Sequence, residues 1–162
     1  MKRLISLVVI CVLLLGLCAC NTIGGANSKT NIKVADSNST YRVGDTVQIC
    51  NVEIAFVNVT KATGPDGAVY LNCEFEIANK TTEALAISSI LSFSGFCDGY
   101  ACSISLDEDT ANSASLNGSI AVGSTVKGTV TYKVAPDWKE LQIHFKPYVL
   151  RDETVIFVVP NS

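Results

Sequence analysis

Histidine is almost missing from this chain: His144 is the only one in 162 residues. A zinc site of the H-E-x-x-H kind, which needs two imidazoles on one helix face, is therefore excluded. A serine or cysteine nucleophile would have only His144 as a histidine base. His144 alternates with Ile143 and Phe145, which predicts an ordinary surface histidine on the outward face of a strand. There is also no G-x-S-x-G elbow and no glycine loop of the phosphate-cradling type. Basic residues are scarce, with 12 Lys and Arg against 15 Asp and Glu. Nucleic-acid binding depends on clustered cations that displace counterions, so it is not expected here. Nor is any apolar run long enough to span a bilayer. The longest, residues 4–19, has sixteen residues, whereas a spanning helix needs roughly 20.

That short run has a different meaning. Met1-Lys2-Arg3 is a basic start, the apolar stretch follows, and Leu17-Cys18-Ala19-Cys20 leads directly into polar Asn21-Thr22. This order is that of a bacterial lipoprotein signal. The residue before the cut must be small, so Ala19 selects Cys20 over Cys18, which follows bulky Leu17. Cys20 is then the lipidation site and carries a diacylglyceryl thioether. Two acyl chains give stable attachment where one is marginal. The expected location is the extracytoplasmic face of the cell membrane. Cleavage removes Lys2 and Arg3, which takes the formal net charge from −3 to −5. The domain should not dock on anionic headgroups by charge, so the lipid is what holds it at the membrane.

Seven cysteines become four once Cys11, Cys18 and Cys20 are assigned to the signal and the lipid. Cys50, Cys73, Cys97 and Cys102 are an even set in an exported chain, the arithmetic of two disulfides. The favoured pairings are Cys97–Cys102 and Cys50–Cys73. Each has a competing reading. Cys73 alternates with Leu71, Phe75 and Ile77 and would serve equally as a small buried apolar residue. Cys97 and Cys102 flank Asp98-Gly99: a four-residue loop opposes them, whereas a two-residue turn opposes Cys97 to Tyr100 and leaves the thiols diagonal.

Residues 1–19 read as a signal helix, and residues 20–40, rich in Asn, Ser, Thr and Gly, as a lipidated terminus and flexible linker. From residue 41 to 160 the pattern is all-β. Short runs rich in Val, Ile, Thr, Tyr and Phe are punctuated by turn residues. Strands are expected at residues 46–49 continued by 53–60, and at 69–78, 85–93, 100–104, 115–120, 125–134, 141–145 and 154–159. Within residues 53–60, Ile54, Phe56 and Asn58 share a face. Residues 69–78 alternate most clearly, with Leu71, Cys73, Phe75 and Ile77 inward and Asn72, Glu74 and Glu76 outward. No segment has helical periodicity. About eight strands over this length make an antiparallel β-sandwich, large enough to fold without a metal.

Several motifs then align with a known pattern. They are Tyr41-x-Val43-Gly44-Asp45-Thr46-Val47, then Glu74-x-Glu76-Ile77-x-Asn79-Lys80-Thr81, and Gly123-Ser124-x-Val126-Lys127-Gly128-Thr129-Val130 followed by Pro136-Asp137-Trp138. Together they resemble a family of immunoglobulin-like domains of unknown function on bacterial, mostly Gram-positive, lipoproteins. The resemblance implies an immunoglobulin-like β-sandwich outside the cell, and it supplies no catalytic residues. Each motif also has a plain structural use. Asn79 can bond its own turn, and Trp138 can cap one end of the sandwich.

Two surface features remain. Asp107-Glu108-Asp109 lies in a polar loop whose carboxylates suit calcium but lack the ligand spacing of an EF-hand. Asp98-Gly99-Tyr100 forms a hairpin tip that, with this loop, could offer a contact surface. The expectation is a non-enzymatic, lipid-anchored module without a cofactor beyond its lipid, binding a protein or cell-wall partner. The alternative is a ligand- or calcium-binding surface lipoprotein that presents solute or senses envelope state.

Overall fold

The computed structural model describes residues 31–64, 67–106 and 116–161. Among them there are twelve strands and no helix. In chain order they are β1 (Ile32–Val34), β2 (Thr40–Tyr41), β3 (Thr46–Ile49), β4 (Val52–Thr63), β5 (Val69–Asn79) and β6 (Leu85–Ser88). The second half holds β7 (Phe93–Cys97), β8 (Tyr100–Ser105), β9 (Asn117–Ile120), β10 (Thr125–Val134), β11 (Glu140–Phe145) and β12 (Val155–Pro160). The all-β reading therefore holds, with more and shorter strands than the expected eight. The expected strand at residues 85–93 divides into β6 and the start of β7, separated by a turn.

Ten strands form one curled sheet in the order β1-β3-β4-β5-β10-β8-β7-β11-β12-β2. It folds over into two layers, and β8 makes the corner. Tyr100, Ala101 and Cys102 pair with β7, while Ser103, Ile104 and Ser105 pair with β10. A strand that changes partners in this way turns a sheet from one layer to the other. We call the β1-β3-β4-β5-β10 layer sheet A and the β7-β11-β12-β2 layer sheet B. The two edge pairings, β1 with β3 and β12 with β2, are parallel, and the remaining pairings are antiparallel. The edges nearly meet, since Tyr41 Oη donates to the Val34 carbonyl at 3.1 Å and accepts from the Asp36 N–H at 3.1 Å.

This closure moves the domain boundary. Residues 32–40, expected to belong to the linker, include β1 and the first residue of β2. The Lys33 ammonium also bonds the Asp45 carboxylate at 2.6 Å. Partial burial raises the Asp45 pKa, but the Lys33 and Arg42 hydrogen bonds outweigh it and hold the group below its ordinary value. Composition hid the strand because a three-residue edge strand needs little apolar content when a neighbour completes its hydrogen bonds. The proposed signal helix and residues 20–30 lie outside the described residues.

Period-2 alternation builds the core. Leu71, Cys73, Phe75 and Ile77 are each no more than 2 % exposed, as expected. Phe157 of sheet B meets Phe56 and Phe75 of sheet A at centroid distances of 5.5 and 5.6 Å, and so ties the layers together. Two expectations fail locally. A bulge between Phe56 and Asn58 shifts the register of β4, so Asn58 is exposed and Val59 lies opposite Cys73. Asn72 faces outward yet is buried, where its Oδ1 accepts from the Thr131 hydroxyl at 2.8 Å.

The two-stranded ribbon β6-β9 closes one end, burying Leu85, Ile87 and Ile120. Asn79 fastens it. The Asn79 amide donates to the Ile120 and Glu83 carbonyls at 2.9 and 2.8 Å, and its Oδ1 accepts from the Thr81 N–H and hydroxyl. Trp138 is 3 % exposed and packs into the core at the other end, as expected of a cap.

Candidate functional site

The sequence-predicted residues do not form one cluster. Asp98 and Gly99 are the two central residues of the hairpin joining β7 to β8, both at positive φ (51° and 84°). Glycine adopts that backbone freely, and Asp tolerates it better than most residues. The Asp98 carboxylate accepts from the N–H groups of Lys139 and Glu140 at 2.9–3.1 Å, and its own N–H donates to the Glu140 carbonyl. Asp98 therefore fixes the start of β11 and is committed to structure. Tyr100 is 81 % exposed and free to touch a partner.

Cys20, Asp107, Glu108 and Asp109 lie outside the described residues. The hairpin tip and the chain leaving toward Asp107 sit at opposite ends of β8, since Tyr100 opens that strand and Ser105 closes it. Six residues of strand separate them by roughly 17–20 Å. Among the described residues no group of three or more His, Cys, Asp or Glu side chains is placed to hold a metal ion.

The four domain cysteines are free thiols. The Cys50–Cys73 pairing is overturned by register. Val52, next to the Cys50 turn, opposes Asn79, while Cys73 opposes Val59. The two cysteines are thus about seven residues apart along the ladder, roughly 20 Å, and a disulfide needs Cα atoms within about 7 Å. The Cys97–Cys102 bond is likewise not formed. Cys97 opposes Tyr100 and Cys102 opposes Gly95, which is the diagonal arrangement of a two-residue turn. Burial pushes the Cys102 thiol up to about 11, and it raises Cys73 well beyond that. Burial also raises Cys97, aided by the Asp98 carboxylate. These three stay protonated at neutral pH and are poor nucleophiles.

Register instead assembles a surface that sequence reasoning missed. On the outer face of sheet B, Val158, Gln142, Phe96 and Ala101 lie in one row across four strands. Ile156, His144 and Ser94 form the next row. The rings of Phe96 and His144 touch at a centroid distance of 4.8 Å and an interplanar angle of 48°. Gln142 Nε2 donates to Glu140 Oε1 at 2.9 Å. Val158 is buried although it faces outward. His144 is half-buried rather than an ordinary surface histidine, and its Nε2 has no hydrogen-bond partner among the described residues. Burial lowers its pKa, and the nearby Lys146 charge lowers it further, so the ring is neutral at pH 7.

Gly95 makes the underside of this face possible. A Cβ there would stand 2.5 Å from the Tyr132 ring and 2.7 Å from Cys102 Sγ. The absent side chain lets β7 lie directly on the core while Phe96 turns outward. The signal was present in Phe93-Ser94-Gly95-Phe96, where an aromatic stands on each face of one strand.

The fold and this face define a class: a β-sandwich domain with a mixed aromatic and polar outer sheet. The chain belongs to a family described as a domain of unknown function, DUF5067, which it matches over residues 27–147. Among solved structures it is similar to ycdA, a candidate lipoprotein of Bacillus subtilis, with a TM-score of 0.58 and 15 % identity. That match covers 67 % of this chain but only 36 % of the ycdA chain. The yjhA protein of Bacillus subtilis matches with a TM-score of 0.58 and 11 % identity, over 73 % of this chain and 98 % of its own. The secreted protein MPT63 of Mycobacterium tuberculosis gives 0.51 and 10 % identity, over 76 % and 99 %. At these identities the likeness is one of fold. No curated protein matches the chain.

Proposed function

We propose that this protein is a lipid-anchored, extracytoplasmic, non-enzymatic binding module whose contact surface is the outer face of sheet B. The observation that carries the reading is the outward register of half-buried Phe96, Gln142 and His144, beside buried Val158, on a sheet face that has no second layer over it among the described residues. A flat surface combining rings with amide and hydroxyl groups suits a protein or cell-wall partner better than a small ligand, which needs a concave pocket. The lipoprotein signal ending at Cys20 and the exported relatives of the fold support the location. Three thiols held protonated argue against nucleophilic chemistry.

The test uses the full chain and an extract of the cell envelope. Wild type should retain a specific partner, and Phe96→Ala/His144→Ala should lose at least about tenfold of it while keeping most of the wild-type melting temperature. Equal retention by both proteins would remove the sheet B face from consideration. If Cys20→Ser remains membrane-bound, the anchor assignment is wrong.

A further inference from the structure

Two turns at one end of sheet B break the usual composition of turns. Turn tips favour Gly, Asn, Asp, Pro and Ser, which bond locally or adopt unusual backbone angles. Here the β6–β7 turn, closed by the Ser92 N–H donating to the Ser88 carbonyl at 2.8 Å, carries Ile90 and Leu91 at its tip. The turn after β11, closed by the Arg151 N–H donating to the Tyr148 carbonyl at 3.0 Å, carries Val149 and Leu150. These four aliphatic side chains are 57, 64, 50 and 100 % exposed in that order. The two turns leave adjacent strands at the same end, since Phe93, which opens β7, is the register partner of Phe145, which closes β11. The Lys146 N–H also donates to the Ser92 carbonyl at 2.9 Å and links the turns.

We infer that this end of the sandwich docks on the lipid bilayer that anchors the chain, with Val149, Leu150, Ile90 and Leu91 entering its outer layer. The inference rests on the lipid-anchor reading above. The length of chain before the structure begins favours this occupant. Since β1 starts at Ile32, only eleven residues separate Cys20 from that strand. Fully extended they reach at most about 40 Å, so the domain is confined near the membrane at high effective concentration. The 152–154 segment beyond the apolar turn lines one surface depression with Ala35 and Ser37, so the tethered edge and this end adjoin.

The turn also has the chemistry of an interface. Tyr148 is half-buried at its base, and the Arg151 guanidinium lies over the ring at 4.6 Å. An aromatic beneath aliphatic tips, with a cation able to reach phosphate, is the arrangement of a membrane-water boundary. Asp152 and Glu153 follow Arg151, and the domain is acidic, so attraction to anionic lipid is not the driving force. Docking should occur on neutral phosphatidylcholine and change little with salt.

The experiment places a tryptophan reporter in the full lipidated chain, reconstituted into phosphatidylcholine vesicles with brominated acyl chains. Leu150→Trp should show blue-shifted emission quenched at least twofold relative to Val57→Trp, which lies midway along β4 in the other layer. Buried Trp138 contributes equally to both. Quenching of Leu150→Trp should fall to the control level when Val149, Ile90 and Leu91 are changed to Ser. If Leu150→Trp is unquenched while the protein still floats with the vesicles, the docking inference is overturned and the anchor stands. If the protein does not float, the anchor itself fails, and the inference with it. If the aliphatic tips instead hold two copies together, sedimentation of the full chain will show a dimer that the Ser changes dissociate, which also overturns bilayer docking.

Discussion

The two outer faces of the sandwich solve the same problem differently. Sheet A meets water with ions: Lys127 pairs with Glu74 at 3.0 Å, Lys80 approaches Glu53 at 3.8 Å, and Glu76 stands beside them. Sheet B, across β7, β11 and β12, presents Ser94, Phe96, Gln142, His144, Ile156 and Val158, with Glu140 and Lys146 at its margins. A solvated face costs nothing to maintain and resists edge-on association. A face of rings and aliphatics exposes surface that burial against a partner would stabilise, at about 25 cal/mol per Å². The contrast teaches that a β-sandwich need not carry its contact surface on its loops; here the sheet itself is the better candidate.

The largest expected effect erases the comparison altogether. Phe157→Ala removes the ring that ties Phe56 and Phe75 to sheet B and should cost about 3–5 kcal/mol in thermal or denaturant unfolding. A loss under about 1 kcal/mol would mean that the layers are not held through this ring. Gly95→Ala acts on sheet B more locally. The new methyl would press on the Tyr132 ring and Cys102 Sγ, so a loss of about 1–3 kcal/mol is expected, with displacement of β7. An unchanged melting temperature would show that β7 is free to lift, and that the Phe96 face is not rigidly set.

How much of this was legible depends on which periodicity each residue obeys. The inward set of β5, the extent of β10 and the Asp98-Gly99 hairpin could be read directly, because period-2 alternation and turn chemistry are local. The three residues of β1 could not, since that strand exists only through its partner β3 and the Lys33–Asp45 bond. The bulge at Phe56 and Asn58 inserts a residue whose effect appears only against β5. The sheet B face was hidden for a related reason. His144 and Phe96 are 48 positions apart in sequence, and the β7–β11 register alone brings their rings together. Counting cysteines could not choose a pairing, because a count carries no information about register.

The smaller predictions test each face on its own terms. Lys127→Ala breaks the Glu74 ion pair on sheet A, and should cost at most about 1 kcal/mol, fading at high salt, because both groups are partly exposed. A larger, salt-independent loss would contradict the description of sheet A as a solvated face.

His144 gives the finest test, on sheet B. Burial, followed by the Lys146 charge, lowers its folded pKa below the ordinary histidine value of 6.5. The unfolded chain therefore binds a proton at His144 before the folded protein does. Stability is full above about pH 6.5, declines as pH falls toward the lower folded value, and loses nothing further from this group below it. Protonation of the folded protein places a cation beside Phe96 and Lys146, so partner retention should weaken as pH falls through the lower folded value. His144→Gln keeps a neutral polar side chain and should flatten both dependences between pH 7.5 and 5.5. Melting temperatures of the two proteins across that range provide the check. Parallel curves would show that His144 is as open to water in sheet B as the carboxylates are in sheet A, and the difference between the faces would lose its sharpest support.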